Sequence, residues 1–120
     1  MNIINPDFVP STIEDAVNHL FGNLTEEHKE QILEIDNSAQ IHHTIGRFLR
    51  NSWSLWEKDT PLKNDAIQTY EIAHADDISG LILGWLFAKV RNKDFDPILY
   101  CESFHKHWAQ FGITSIEAGQ

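Results

Sequence analysis

Residues 74–90 read HADDISGLILGWLFAKV, and this stretch decides the fold. Its first six positions hold an imidazole, two carboxylates and a hydroxyl, and the positions after them are almost all apolar. A helix that is apolar nearly all round is typically buried on every side. We therefore predict a central buried helix, the fourth in the chain, from Asp76 or Asp77 to about Arg91, with one of the two aspartates as its N-cap.

Two shorter helices are predicted nearer the N-terminus. The first has Ser11 or Thr12 as its N-cap and ends at Gly22, because apolar residues recur at helical spacing between these positions. The second follows Thr25, whose hydroxyl is a suitable N-cap, and ends by Asn37.

A third and longer helix is predicted from Ser38 to about Trp56. Its apolar side is expected to hold Ile41, Ile45, Phe48, Leu49, Ser52 and Trp56, and its opposite side His43, Arg47, Arg50 and Ser54. Between residues 57 and 73 the helical pattern weakens and Pro61 acts as a breaker. We expect a loop there, with one or two turns around Asp65 to Tyr70.

The last predicted helix begins with Asp96 as N-cap and Pro97 at its first position, and it closes at Gly112. Its buried stripe is predicted to be Ile98, Cys101, Phe104, Trp108 and Phe111. No segment alternates as a strand would. The predicted fold is therefore all-α, an irregular antiparallel bundle of about five helices in one domain over residues 1–120, with an irregular lead-in at 1–10 and a frayed tail at 113–120.

The charge of the chain is distributed unevenly. There are 18 acidic and 9 basic side chains, and −7 of the net charge of −9 falls before His42, where eight carboxylates accompany Lys29 alone. A nucleic-acid-binding protein needs a basic stripe, and because the sequence shows none, we expect no nucleic acid partner. An acidic surface suits a basic protein partner, although a merely solvated surface is the more common reason for such charge.

The sequence also bears on the compartment. Cys101 is the only cysteine, which excludes an intramolecular disulfide and fits a reducing environment. The first ten residues lack the basic and apolar regions of a signal peptide, and the longest apolar run is too short to span a bilayer. We expect a cytoplasmic protein without a membrane partner.

Polar residues of the third and fourth helices form a candidate ligand-binding or structural cluster: His43, Arg47, Arg50, Asn51, His74, Asp76 and Asp77. Arg47 and Arg50 are three positions apart and so share a helical face. A guanidinium can grip a carboxylate with two hydrogen bonds, so we predict that Arg50, with Asn51, ties the third helix to Asp76 or Asp77. The alternative is a phosphate-gripping site, which lacks an accompanying glycine-rich loop.

Other residues suggest packing more than chemistry. His74 could be a base or a ligand, but a lone histidine near a helix start is more often a local hydrogen-bond partner. The adjacent histidine pairs lack the i,i+4 spacing of metal ligands, so neither metal nor cofactor is expected. Gly80, Gly84 and Ala88 should permit close approach of another helix, and Trp53, Trp56 and Trp85 are predicted to be core.

Two segments resemble a family of small uncharacterised bacterial proteins: IHHTIGRFLRNSWSLW at residues 41–56 and HADDISGLIL at residues 74–83. The resemblance covers roughly residues 11–92, with Ala75 and Ile78 in place of an expected proline and methionine. It implies a domain of unknown function. Some small acidic proteins of this kind are carried on mobile gene cassettes, which suits an accessory or defensive role.

Two functional hypotheses follow. The first is a non-enzymatic interaction module, antitoxin-like or immunity-like, whose acidic N-terminal third binds a basic protein. The second is a protein or enzyme that binds a small molecule or phosphate ester through His43, Arg47, Arg50, His74, Asp76 and Asp77. We favour the first. If the chain forms homo-oligomers, we expect Leu99 and Tyr100 of the last helix to mediate contact.

Overall fold

The computed structural model describes residues 7–35 and 39–120, and these residues form seven α-helices. The helices are α1 (Ile13–Gly22), α2 (Glu26–Leu33), α3 (Ala39–Ser52), α4 (Pro61–Tyr70), α5 (Ala75–Val90), α6 (Pro97–Ala109) and α7 (Ser115–Ala118). The all-α prediction is confirmed, with more helices than expected. No helix in the described ranges has the length and the apolar character that crossing a bilayer requires.

Helix α5 is the centre of the fold, as its apolar sequence predicts. Ten of its residues are buried, and it packs against α1, α2, α3 and α6. Ile78, Leu81, Ile82, Leu83 and Leu86 are fully shielded from solvent. Burial of these five aliphatic side chains stabilises the fold by roughly 1.5–3 kcal/mol each relative to exposure.

The small residues of α5 allow the close approach that the sequence predicts. A Cβ placed on Gly84 would lie 2.8 Å from Cζ and Oη of Tyr100, so the Tyr100 ring of α6 lies directly over this glycine. At Gly80, a Cβ would come within 3.4 Å of Phe104 and 3.5 Å of His42. Helix α6 is therefore packed on a strip of α5 that has little room for side chains.

Several predicted N-caps are present. The Thr12 hydroxyl accepts a hydrogen bond from the Asp15 amide at 3.0 Å, and the Thr25 hydroxyl accepts one from the His28 amide at 3.1 Å. His28 Nδ1 in turn accepts the Thr25 amide, which completes a capping box. Asp96 caps α6 with Pro97 at its first position. Ser38, the predicted cap of the third helix, lies outside the described residues.

Three predictions about the ends of elements are wrong. The N-cap of α5 is His74, and Asp76 and Asp77 lie in the first helical turn. The segment expected to be mostly loop contains the ten-residue helix α4, with Pro61 at its first position, where the missing amide hydrogen costs nothing. The tail expected to be frayed contains α7, whose first residue, Ser115, is buried.

Some apolar residues predicted to be core are exposed. Phe48 of α3 and Trp56 are 63% and 57% exposed, and Ile98 and Phe111 at the two ends of the last predicted helix are 55% and 66% exposed. In α6 only Cys101 is fully buried. Trp56 and Phe111 lie beyond the ends of α3 and α6, so helical spacing does not place them on the buried side of either helix. The prediction holds for Trp53, which is 2% exposed.

Candidate functional site

The predicted contact between α3 and the start of α5 is present. Nε of Arg50 lies 3.5 Å from Oδ1 of Asp76, and Nη1 of Arg50 donates a 3.0 Å hydrogen bond to Oγ of Ser79. The Arg50 side chain is 15% exposed, whereas that of Asp76 is 63% exposed. Gly46 makes room for the guanidinium, because a Cβ there would lie 2.9 Å from Nη1 of Arg50.

His74 serves as a local hydrogen-bond partner, as the commoner reading of the sequence predicts. Its Nδ1 accepts the backbone amide of Asp76 at 3.1 Å, which satisfies one of the free amides of the first turn of α5. Since Nδ1 is the acceptor, a neutral His74 carries its proton on Nε2. The ring also lies between two tryptophans, with centroids 6.1 Å from Trp56 and 5.4 Å from Trp108.

Asp77 has a different partner from its neighbour Asp76. It is 7% exposed, and its Oδ2 accepts a 2.8 Å hydrogen bond from Nε1 of Trp108 in α6. Burial raises the pKa of the Asp77 carboxyl, and the Trp108 hydrogen bond and the charge of His74 act against that rise. Asp77 therefore joins α5 to α6, while Asp76 joins α5 to α3.

The seven residues of the predicted cluster do not share one cavity. A cavity of about 260 Å³ is lined by His42, His43, Arg50 and Asp76. Arg47 and Asn51 are exposed on α3 and are absent from its lining. His74 lines a different cavity, and Asp77 is covered by Trp108.

His42 was not selected by sequence reasoning, although it is central to this cavity. Its ring contacts Gly80, and burial, followed by the positive charge of Arg50, lowers its pKa. Its neighbour His43 is exposed. His42 lies four residues before Gly46 and so shares the side of α3 that faces α5, and this spacing could have identified it from the sequence.

The chemistry available to the cavity is limited. The Arg50 guanidinium already contacts Asp76 and Ser79, and Oγ of Ser79 donates to the backbone carbonyl of Asp76. A phosphate would have to compete with these contacts. In the described ranges, no group of three His, Cys, Asp or Glu side chains is arranged to hold a metal ion. The geometry favours a structural contact over an anion-binding role for Arg50.

Before His42, every carboxylate that lies in the described part of the chain is exposed. Helix α2 buries only Ile32, and it exposes a set of residues that we call the α2 acidic face: Glu26, Glu27, Glu30, Leu33 and Glu34. Lys29, the one basic residue of this helix, lies 3.5 Å from Glu26 and is placed over the Phe21 ring. The face is consequently strongly negative.

A buried lysine was missed by the sequence analysis. Lys63 in the first turn of α4 is 4% exposed, and its Nζ donates to the carbonyl oxygens of Leu55 at 3.4 Å and Gly119 at 3.5 Å. Burial, followed by the charge of Lys58, lowers the pKa of Lys63. Nothing in the local sequence distinguishes Lys63 from a solvated lysine.

A contact between α6 and α7 was also missed. Nδ1 of His105 lies 2.7 Å from Oγ of the buried Ser115, and both residues line a cavity of about 350 Å³ that Glu71 also lines. The contact joins α7 to α6.

Comparison with known protein families identifies the family of the chain. Residues 9–89 match the family described as Domain of unknown function (DUF6794). The match covers more than half of the chain, so the chain belongs to this family, and the resemblance to an uncharacterised family is confirmed. Comparison with curated proteins and with solved structures gives no match.

Proposed function

We propose that this chain is a non-enzymatic interaction module, an antitoxin-like or immunity-like accessory protein, and that its α2 acidic face binds a basic protein. The observation that carries this proposal is that α2 buries only Ile32 while Glu26, Glu27 and Glu30 are exposed. A helix used for packing alone would bury a wider stripe. Charge of one sign on such a surface steers an oppositely charged partner and selects against wrong ones.

The position of Glu34 supports a role of the α2 acidic face other than keeping the protein soluble. Glu34 is the C-cap of α2, at the negative end of the helix dipole, where a carboxylate destabilises a helix by roughly 0.3–1 kcal/mol. The Arg91 guanidinium offsets this effect by donating to the carbonyl oxygens of Ile32 and Ile35 at 3.2 and 3.0 Å. A carboxylate kept at an unfavourable position is consistent with recognition of a cationic surface.

Leu33 adds an apolar element to the same face. It is 54% exposed and lies beside Glu34 and three positions after Glu30. Protein interfaces typically combine an apolar centre with a polar rim. We therefore infer a partner that offers a shallow apolar site bordered by lysine or arginine side chains.

We also propose the cytoplasm as the compartment, because the lone cysteine, Cys101, is a buried thiol. An exposed Leu99 on α6, 61% accessible, supports a second and weaker contact with another copy of the chain. Tyr100, the other residue predicted for such a contact, packs on Gly84 and is not part of this proposal.

The proposal is tested by co-purification from the native host at low ionic strength and above about 0.5 M salt, where the Debye length falls below about 5 Å. A protein rich in lysine and arginine should be recovered at low salt and lost at high salt. It should be lost at low salt with a triple variant of the face, Glu26→Gln, Glu30→Gln and Glu34→Gln. A control with the same charge change elsewhere, Glu57→Gln, Asp94→Asn and Glu102→Gln, should retain it.

Recovery of the same proteins by both variants would contradict the proposal, because the position of the removed charge would then be irrelevant. Recovery of no basic protein at low salt by the unmodified chain would contradict it as well.

A further inference from the structure

Within the described part of the chain, the buried ammonium group of Lys63 forms no ion pair. Among the described residues, no carboxylate oxygen lies within 4 Å of its Nζ, and its two acceptors are backbone carbonyl oxygens at 3.4 and 3.5 Å. Both distances are longer than the usual 2.7–3.2 Å of a hydrogen bond from nitrogen to oxygen. Buried charges in proteins are ordinarily paired, so this group is an exception that calls for an anion.

A second cation lines the same cavity. Lys58 and Lys63 both border an opening of about 250 Å³ beside Trp56 and His74, and its remaining lining comes from Ala75 and residues 118–120. None of these lining residues has an acidic side chain, although the chain has twice as many acidic as basic side chains. Burial, followed by the positive charge of Lys58, lowers the pKa of Lys63.

Two aromatic side chains, Trp56 and His74, form one side of the cavity. Trp56 is 57% exposed, although tryptophan is a large apolar residue. Its ring meets the His74 ring edge to face, with 6.1 Å between centroids. An exposed tryptophan beside two lysines offers a flat apolar surface next to positive charge.

We propose that this cavity binds a small organic anion in which a carboxylate or phosphate group is attached to a flat ring. The acidic group lies between Lys63 and Lys58, and the ring lies against Trp56. His74 lines the cavity next to Trp56. This site is separate from the α2 acidic face, so its failure would leave the proposed function untouched.

The test measures binding of named probes by calorimetry and by tryptophan fluorescence at low ionic strength. Phenyl phosphate and benzoate represent the two acidic groups, inorganic phosphate lacks the ring, and benzylamine has the ring with the opposite charge. We expect saturable binding of one molecule of phenyl phosphate or benzoate per chain, at least tenfold weaker binding of inorganic phosphate, and none of benzylamine. Which of the two aromatic probes binds more tightly identifies the acidic group.

Variants then locate the site. Lys58→Met removes an exposed lysine without disturbing the core, and it should weaken binding by about tenfold, as should Trp56→Leu. Lys106→Met on α6 makes the same charge change at an exposed position outside the lining of this cavity and should leave affinity unchanged. Lys63→Met should abolish binding, and circular dichroism establishes whether that variant is folded.

Three results would overturn the proposal. One is the failure of both aromatic probes to bind at millimolar concentration. Another is equal weakening by Lys58→Met and Lys106→Met, which would indicate a general charge effect. The third is inorganic phosphate binding as tightly as phenyl phosphate, which would remove Trp56 from the site and with it the proposed ligand class.

Discussion

The Arg50 guanidinium connects two helices, with its Nε 3.5 Å from Oδ1 of Asp76 and its Nη1 3.0 Å from Oγ of Ser79. Because the Asp76 carboxylate is mostly solvated, losing its ion pair with Arg50 changes the free energy of unfolding only slightly. We expect Arg50→Ala to lower the free energy of unfolding by about 1–2 kcal/mol, mainly through the lost Ser79 hydrogen bond and side-chain packing. Urea denaturation measures this change.

Arg47 supplies the matched control for Arg50. It lies three positions earlier on α3 and is exposed. Arg47→Ala should change the free energy of unfolding by less than about 0.5 kcal/mol. Equal effects of the two substitutions would show that the Arg50 contact does not contribute to stability.

The buried carboxyl of Asp77 should make stability depend on pH. Burial raises its pKa in the folded state above the ordinary value of 3.8, so the folded protein binds a proton more tightly than the unfolded chain does. The contribution of Asp77 to the free energy of unfolding therefore falls as pH rises from 3.8 to the raised pKa. At higher pH this contribution is constant.

Asp77→Asn removes this dependence while keeping an oxygen that can accept from Trp108 Nε1. Relative to the unmodified protein, the variant should become progressively more stable as pH rises through that window, and the difference should then level off. Denaturant unfolding at a series of pH values checks this. If the free energy of unfolding of the variant minus that of the unmodified protein is constant with pH, or falls as pH rises, a raised pKa at Asp77 is ruled out.

The contact between α5 and α6 at Gly84 should not tolerate a side chain. Gly84→Ala places a Cβ 2.8 Å from the Tyr100 ring, which must move, and we expect a loss of about 1–3 kcal/mol. Gly22→Ala at the end of α1 meets nothing within 4 Å and should be neutral or stabilising by up to about 1 kcal/mol. The midpoint of thermal unfolding should therefore fall for Gly84→Ala and stay unchanged or rise for Gly22→Ala, and an equal fall for both variants would contradict this packing.

Cys101 should be chemically inert in the folded protein. It is 1% exposed, and burial raises the pKa of its thiol to about 12, so that little thiolate forms near neutral pH. We expect 5,5′-dithiobis(2-nitrobenzoate) to react with it quickly in urea and very slowly in native buffer. Rapid, stoichiometric reaction of the native protein would show that α6 separates from the core.

The central helix could be predicted from sequence because its signal is strong. A run that is apolar all round can only be buried, and the glycines at positions 80 and 84 could only serve close packing. The Arg50 contact could be predicted because arginine is scarce in this chain and aspartates begin the next helix. Both inferences depend on residue type and spacing alone.

The missed features depend on tertiary contacts that leave little trace in the sequence. Helix α4 is stabilised by burial of Leu62, Ala66 and Tyr70, whose spacing is helical but whose neighbours are polar. His74 is the cap of α5, and Asp77 instead accepts a hydrogen bond from Trp108, thirty-one residues away. Burial of Lys63 likewise depends on the distant Gly119.

The most direct test of the proposed function is the dissociation constant of the recovered partner as a function of salt concentration. We expect the triple variant of the α2 acidic face to weaken binding by at least about tenfold at low salt and to flatten the salt dependence, because fewer charges remain to be screened. The control triple variant at Glu57, Asp94 and Glu102 should match the unmodified chain in both respects. Equal weakening by the two triple variants, or unchanged affinity in the α2 variant, would contradict recognition through this face.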